Sequence, residues 1–265
     1  MSVAPPGAAA VSEATPVWSS LRRDRAIVGL GLVGLAALCW ISTVFLVSAM
    51  LPAHAAMAVP HGAVAGKSAQ FAPLFLMWTV MMAAMMVPVA APSLLAVAGA
   101  ERERWPDPIA RSALFLSGEL LVWTAFSLLA ALAQWRLHEA ALMSPTMAST
   151  SSVLSGVLLV AVGLFQFTPM KKVCLRRCRA LPVFARDRPR GVFLMGLEHG
   201  AFSAGSCGAL MLVLFATGVM SIPWMAILTG LVVLERIAPE GLRVSRTTGA
   251  LLAAWGGWIL LASLA

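Results

Sequence analysis

The sequence predicts an all-α fold, a polytopic transmembrane helix bundle. Of its 265 residues, 60% are hydrophobic and only 11% are charged, whereas soluble globular domains carry about 25% charged residues. Apolar runs of about 18 residues or more, long enough to cross a bilayer, recur along the chain. Helices are the expected spanning elements because lipid offers no hydrogen-bond partners to the backbone.

About seven spans are predicted. They are residues 26–51, 71–99, 112–133, 153–167, 192–217, 222–234 and 247–264. Residues 1–20, rich in Ala, Pro and Ser, are predicted to be a disordered tail, and residues 21–265 a single transmembrane helical domain. The first span could also be a secretory segment cleaved near Ala53-His54-Ala55. Its apolar run exceeds the about 7–15 residues of such segments, which favours a retained anchor.

The distribution of basic residues predicts the orientation. Of the 19 Lys and Arg residues, 17 lie before the first predicted span or in the loops after the second, fourth and sixth spans, and only Lys67 and Arg136 lie elsewhere. Basic loops stay in the cytoplasm, so the N-terminus is predicted to be cytoplasmic. This asymmetry accounts for the net charge of +8, and no nucleic-acid partner is expected. The longest basic loop, residues 171–190, is expected to contact anionic lipid of the bilayer.

The second span has a surplus of methionine. Its five methionines are Met77, Met81, Met82, Met85 and Met86. The i, i+4, i+8 spacing of Met77, Met81 and Met85 forms one helical stripe, and Met82 and Met86 form a neighbouring one. Thioethers and thiolates are soft ligands that select Cu(I). The alternative is ordinary packing, since flexible methionine fills gaps in a core.

Cys207 extends the candidate ligand set. It is predicted to lie near the middle of the bilayer, at the depth of Met81 and Met85, and Met211 follows one turn later on the same face. The sequence therefore predicts a pool of sulfur ligands for a soft metal ion, with copper favoured.

Ionisable residues inside predicted spans form a second candidate group, because they are costly in lipid. Glu119, Glu198 and His199 lie at a similar depth, and Gln166 approaches it from the fourth span. Three interpretations stay open: a hydrogen-bonded network that holds the bundle together, a proton or ion relay, and a metal site. In a metal site His199 would join the ligands, and the others would orient ligands or compensate charge.

Cys174 and Cys178 lie in the basic loop, and a helix would place both on one face. Neighbouring arginines favour a reactive thiolate. The pair is predicted to be a reactive or regulatory thiol pair, part of a lipid anchor, or a cytoplasmic acceptor for soft metal. None of the four cysteines falls in a predicted outer loop, so no structural disulfide is expected.

Three segments in residues 70–240 carry a resemblance to a known family. They are MWTVMMAAMMVPVAAP, FQFTPMKKVCLRRCRALP, and a glycine-rich segment that continues into LFATGVMSIPWMAILTGLVVLER. Together they resemble a bacterial family of predicted metal-binding integral membrane proteins, the domain of unknown function 2182. The resemblance implies a helical fold in the bacterial inner membrane, crossed several times, and a link to metal.

The chain departs from that family in the third segment. There the family usually has three cysteines and a tryptophan, as Cys-x-Gly-Cys-Cys-Trp. The corresponding residues here are Ser203, Gly205, Ser206, Cys207 and Gly208. Only one cysteine remains, so a metal site would depend more on methionines and on His199.

The leading hypothesis is an integral membrane protein that binds or passes a soft transition metal, above all copper. The first alternative is a non-catalytic membrane subunit or assembly factor, with a membrane protein or a second copy of the chain as partner. The second alternative is a proton-coupled transporter that uses Glu119, Glu198 and His199. The sequence has no nucleotide-binding or hydrolase motif, so the protein is not expected to be an enzyme.

Overall fold

The computed structural model describes residues 14–57, 67–99, 107–139, 151–184, 191–219 and 221–264. All regular structure within these ranges is helical, which confirms the predicted all-α class. The helices are α1 (Ala14–Met57), α2 (Lys67–Gly99), α3 (Pro108–Glu139), α4 (Ser152–Phe165), α5 (Pro169–Phe184), α6 (Val192–Met211), α7 (Val213–Thr217), α8 (Ile222–Ile237) and α9 (Gly241–Leu264). The start of α1 overlaps the predicted disordered tail, whose first 13 residues lie outside the described ranges.

Four described helical segments are long and apolar enough to cross a bilayer. They are Arg25–Ala49, Phe71–Ala98, Pro108–Leu137 and Val192–Thr217. A fifth exists if α4 and the start of α5, bent by 61°, form one broken span. This agrees with a membrane protein, but the predicted count of about seven spans is not confirmed. With 16 residues, α8 is only about 24 Å long, and Arg243 and Arg246 shorten the apolar part of α9.

The basic segment that the sequence assigns to a cytoplasmic loop is largely helical. α5 covers Pro169–Phe184, and residues 185–190 lie outside the described ranges. Pro169 begins the helix, where its missing N–H is no loss and its fixed φ suits the first turn. The loop assignment is therefore corrected, because α5 packs on α6 and buries one side of the segment.

α2 lies at the centre of the bundle. It packs against α1, α3 and α8. Of the residues in its most apolar 18-residue stretch, 61% are buried, whereas the corresponding share in α1 is 11%. The outward side chains of α1 include Leu30, Ile41 and Phe45, which are exposed. Exposed apolar side chains on a peripheral helix are those expected to face lipid, whereas α2 supplies the core.

Glycines bring two helix pairs into close contact. In the α4–α9 pair, a Cβ at Gly156 would lie 3.0 Å from the carbonyl oxygen of Gly256, and a Cβ at Gly256 would lie 2.7 Å from that of Gly156. In the α3–α6 pair, Gly196 packs directly on the carbonyl of Phe115, and Gly200 on the backbone of Glu119. Gly196 and Gly200 thus form a pair of small residues four apart that lets two helices approach closely, and this approach sets the distance between the polar residues of α3 and α6.

Candidate metal site and buried polar network

The five methionines of α2 all lie in the core. Each is at most 2% exposed, and all five belong to one hydrophobic cluster with Cys207 and Met211. The cluster also contains Met225 of α8, which sequence reasoning missed because an isolated methionine gives no periodic signal. The structure thus gathers seven methionines and one cysteine in one part of the core.

Aromatic rings belong to the same cluster as the methionines and Cys207. Trp78 stacks on Phe215 with ring centroids 5.3 Å apart, and its Nε1 donates a hydrogen bond to Gln134. The indole Nε1 of Trp123 is buried and has no hydrogen-bond partner among the described residues. Aromatic neighbours suit methionine packing as well as metal binding, so burial alone does not separate these two interpretations.

A polar network centred on His199 connects four helices. Ser93 Oγ of α2 lies 3.0 Å from His199 Nε2, and Glu119 Oε2 of α3 lies 3.2 Å from His199 Nδ1. Arg236 of α8 places Nη1 3.3 Å from His199 Nε2 and donates from Nη2 to Ser203 Oγ at 2.6 Å. All five side chains are buried, so the network is closed off from solvent.

The partners of His199 constrain which of its ring nitrogens accepts a hydrogen bond. A guanidinium can only donate hydrogen bonds, so Nε2 facing Arg236 must carry the lone pair. Nδ1 is then the ring nitrogen on the side of Glu119, 3.2 Å from its Oε2. Neither Nδ1 nor either Glu119 oxygen has a well-aligned hydrogen-bond partner in the described structure. The net charge of Glu119 and Arg236 together is zero.

The polar residues predicted to share one depth are only partly brought together. Glu119 and His199 are in contact. Glu198 is half-buried. It directly precedes His199, so it lies about 100° away around α6, on another face of the helix. Gln166 accepts a hydrogen bond from Ser245 of α9 at 3.1 Å. Arg236, which the sequence counts as a loop charge, takes part in the His199 network instead.

A second buried charge cluster is an ion pair that includes Glu235, the residue before Arg236. Lys171 Nζ of α5 and Glu235 Oε2 of α8 are 2.7 Å apart, and both side chains are 1% exposed. The sequence counts Lys171 among the cytoplasmic loop charges, and the structure corrects this. No local signal identifies the pair, because its members are 64 residues apart.

The thiols of α5 face α6. Cys174 and Cys178 are buried, and a Cβ added at Gly205 would lie 2.8 Å from Cys174 Sγ. Cys178 interacts electrostatically with Cys207 and with Arg236. Reactive cysteines are partly exposed, so the burial of this pair disfavours the reactive-thiol interpretation. Sequence reasoning separated Cys178 from Cys207 by assigning them to a loop and to mid-membrane.

Hard or mixed ligands do not form a metal centre in the described part of the chain. No group of three or more His, Cys, Asp or Glu side chains there is arranged to hold an ion. The methionine thioethers of this core are donors that suit a soft, singly charged ion rather than Zn²⁺ or Mg²⁺.

The fold and this core define a helical, membrane-compatible protein with soft donor groups in its interior. A family model, PpoB2, described as a copper chaperone, matches residues 75–259. The match covers more than two thirds of the chain, so the protein belongs to this family. It agrees with the metal link implied by the motifs, under a different family name. No curated protein and no solved structure matches the chain.

Proposed function

We propose that the protein binds Cu(I) inside its helix bundle and passes it on, as a multi-pass protein of the bacterial inner membrane. The observation that carries this proposal is the burial of the α2 methionines in one cluster with Cys207. The candidate ligands are Met77, Met81, Met82, Met85, Met86, Met211 and Cys207, with His199 about two turns before Cys207 on α6. Membership of the copper chaperone family supports copper over other soft metals.

The chemistry of these donors suits a cargo that must be both held and released. Thioethers are neutral and weak ligands, so a stripe of them binds Cu(I) without a large net charge in the core. A Cys207 thiolate would neutralise the single positive charge and lower the cost of burying it. The protein would thus bind and transfer Cu(I) without a catalytic step.

A triple variant tests the ligand set. We expect Met81→Leu/Met85→Leu/Cys207→Ser to bind Cu(I) at least roughly tenfold more weakly than wild type. Leu preserves volume and helix propensity, so packing changes little. The measurement is competition with a chromophoric Cu(I) chelator in detergent, together with elemental analysis of the purified protein.

The matched control is Met170→Leu/Met195→Leu. Met170 is 57% exposed, and Met195 lies in a different core cluster. This double variant should retain the affinity of wild type. Equal copper binding by wild type and the triple variant would exclude the sulfur pool as the site.

We also propose that anionic lipid binds at a cavity between α5 and the start of α9. Arg176, Arg179 and Arg243 line a cavity of about 470 Å³, with Glu240 as its acidic member. Arg179 Nη2 donates to the carbonyl of Ala238 at 2.7 Å, which orients this arginine in the cavity. Basic pockets between membrane helices suit the phosphate of a lipid headgroup.

Lipid retention tests this pocket. We expect Arg176→Gln/Arg179→Gln to lose most of the phosphatidylglycerol that wild type retains in native mass spectrometry, since two of three cavity arginines are removed. Arg177→Gln is the control, because its guanidinium lies over the ring of Phe202 and does not line the cavity. If Arg177→Gln lost as much lipid, general surface charge would explain the binding.

A further inference from the structure

One face of α6 carries a stripe of potential ligands. His199, Ser203, Cys207 and Met211 follow each other at every fourth residue, and all four are buried. Four residues advance a helix by about 6 Å, so adjacent members of the stripe lie one turn apart. The stripe leads from the His199 network into the methionine cluster, since Cys207 and Met211 belong to that cluster.

A permanent cation lies against this stripe. Arg236 contacts His199 Nε2 and Ser203 Oγ, and it interacts electrostatically with Cys207, Cys178 and Glu119. A guanidinium stays charged in proteins, and a charge in a helix bundle is costly unless it is compensated. Its Nε has no hydrogen-bond partner in the described structure, so one donor of the buried guanidinium is unsatisfied.

His199 has a carboxylate beside one of its ring nitrogens. In many metal sites, a carboxylate in this position orients the ligating histidine. Here Nδ1 lies 3.2 Å from Glu119 Oε2, though without hydrogen-bond alignment. Nε2 lies 3.3 Å from Arg236 Nη1 and 3.0 Å from Ser93 Oγ. The guanidinium of Arg236 therefore occupies the position beside Nε2 where a metal ion would bind.

We propose that Arg236 is a resident counter-cation that competes with Cu(I) for the α6 stripe and thereby promotes release of the metal. This inference rests on the proposed function. Two positive charges beside Cys207 repel each other strongly in a core of low dielectric constant. Cu(I) bound at Cys207 or His199 therefore displaces Arg236 from its contacts, and the return of Arg236 favours departure of the ion.

Removal of the competing charge tests the proposal. We expect Arg236→Gln to bind Cu(I) roughly tenfold more tightly than wild type, since charged hydrogen bonds to His199 and Ser203 no longer have to be broken. Arg246→Gln is the control: this arginine lies in the first turns of α9 and is exposed. It should leave the affinity unchanged, which excludes an effect of net charge.

A second pair of variants covers a folding defect in Arg236→Gln, which leaves Glu119 without its buried counter-charge. Glu119→Gln/Arg236→Gln keeps the core neutral and is compared with Glu119→Gln alone. The double variant should again bind Cu(I) more tightly. A second readout is thermal unfolding. Cu(I) should raise the unfolding midpoint temperature of Arg236→Gln more than that of wild type, and that of Glu119→Gln/Arg236→Gln more than that of Glu119→Gln.

The outcomes separate the two proposals. In one outcome, wild type binds Cu(I) and Met81→Leu/Met85→Leu/Cys207→Ser does not. If Arg236→Gln then leaves the Cu(I) affinity unchanged or weaker, both alone and combined with Glu119→Gln, only the role of Arg236 is overturned. If neither wild type nor Arg236→Gln binds Cu(I), both proposals are overturned.

Discussion

Replacing Lys171 by Met is expected to lower the free energy of unfolding by about 3–5 kcal/mol. The ammonium group and Glu235 are 2.7 Å apart with both side chains 1% exposed, so the substitution leaves a buried carboxylate without its cation. Desolvation of a single charge is far more costly than desolvation of a pair. The measurement is denaturant titration of the full chain in detergent micelles, followed by tryptophan fluorescence.

The double variant Lys171→Met/Glu235→Leu should recover most of this loss, because apolar residues of similar volume replace a buried pair at little cost. Arg243→Met removes a partner from an ion pair of similar length, 2.7 Å, whose side chains are 77% and 58% exposed. It should change stability little, since water screens such pairs. A Lys171→Met variant as stable as wild type would show that Glu235 finds another partner or a proton.

Gly196→Ala is expected to lower the free energy of unfolding by about 3 kcal/mol or more. The added Cβ would collide with the carbonyl oxygen of Phe115, which is backbone and has no rotamer to change. α3 and α6 must then move apart, and Glu119 moves away from His199 with them. Besides destabilisation, the variant should therefore show altered Cu(I) affinity if the His199 network tunes the metal site.

Gly230→Ala is the matched control for a glycine inside a helix. A Cβ there meets nothing within 4 Å, so the substitution should be neutral or stabilise the protein by up to about 1 kcal/mol through helix propensity. Equal effects of the two substitutions would contradict the close packing of α3 on α6. Both melts are measured on the same detergent-solubilised full chain.

The methionine site illustrates what local pattern predicts well. The i, i+4 spacing of Met77, Met81 and Met85 placed them on one face of a helix, and α2 is helical over that whole stretch. Predicted depth in the bilayer also grouped Cys207 with these methionines, and all of them belong to one core cluster. Met225 was missed because it joins the cluster by the approach of α8 to α2, which no local pattern encodes.

The charged residues show where local pattern fails. Lys171 and Arg236 were both assigned to cytoplasmic loops, because a basic residue next to an apolar run is normally solvated at the membrane surface. In the structure each is buried by a partner on another helix, Glu235 and His199 respectively. The pairing partners are 64 and 37 residues away, beyond the reach of any periodicity.

The sequence by itself determined the helical class, the apolar windows and the sulfur-rich face of α2, since hydropathy and a 3.6-residue period act within one segment. Only the tertiary structure decided which charges are inside and what they contact. The physical reason is that a buried charge is tolerated only beside its counter-charge. That proximity depends on how closely α3, α5, α6 and α8 pack, and for α3 and α6 Gly196 and Gly200 allow it.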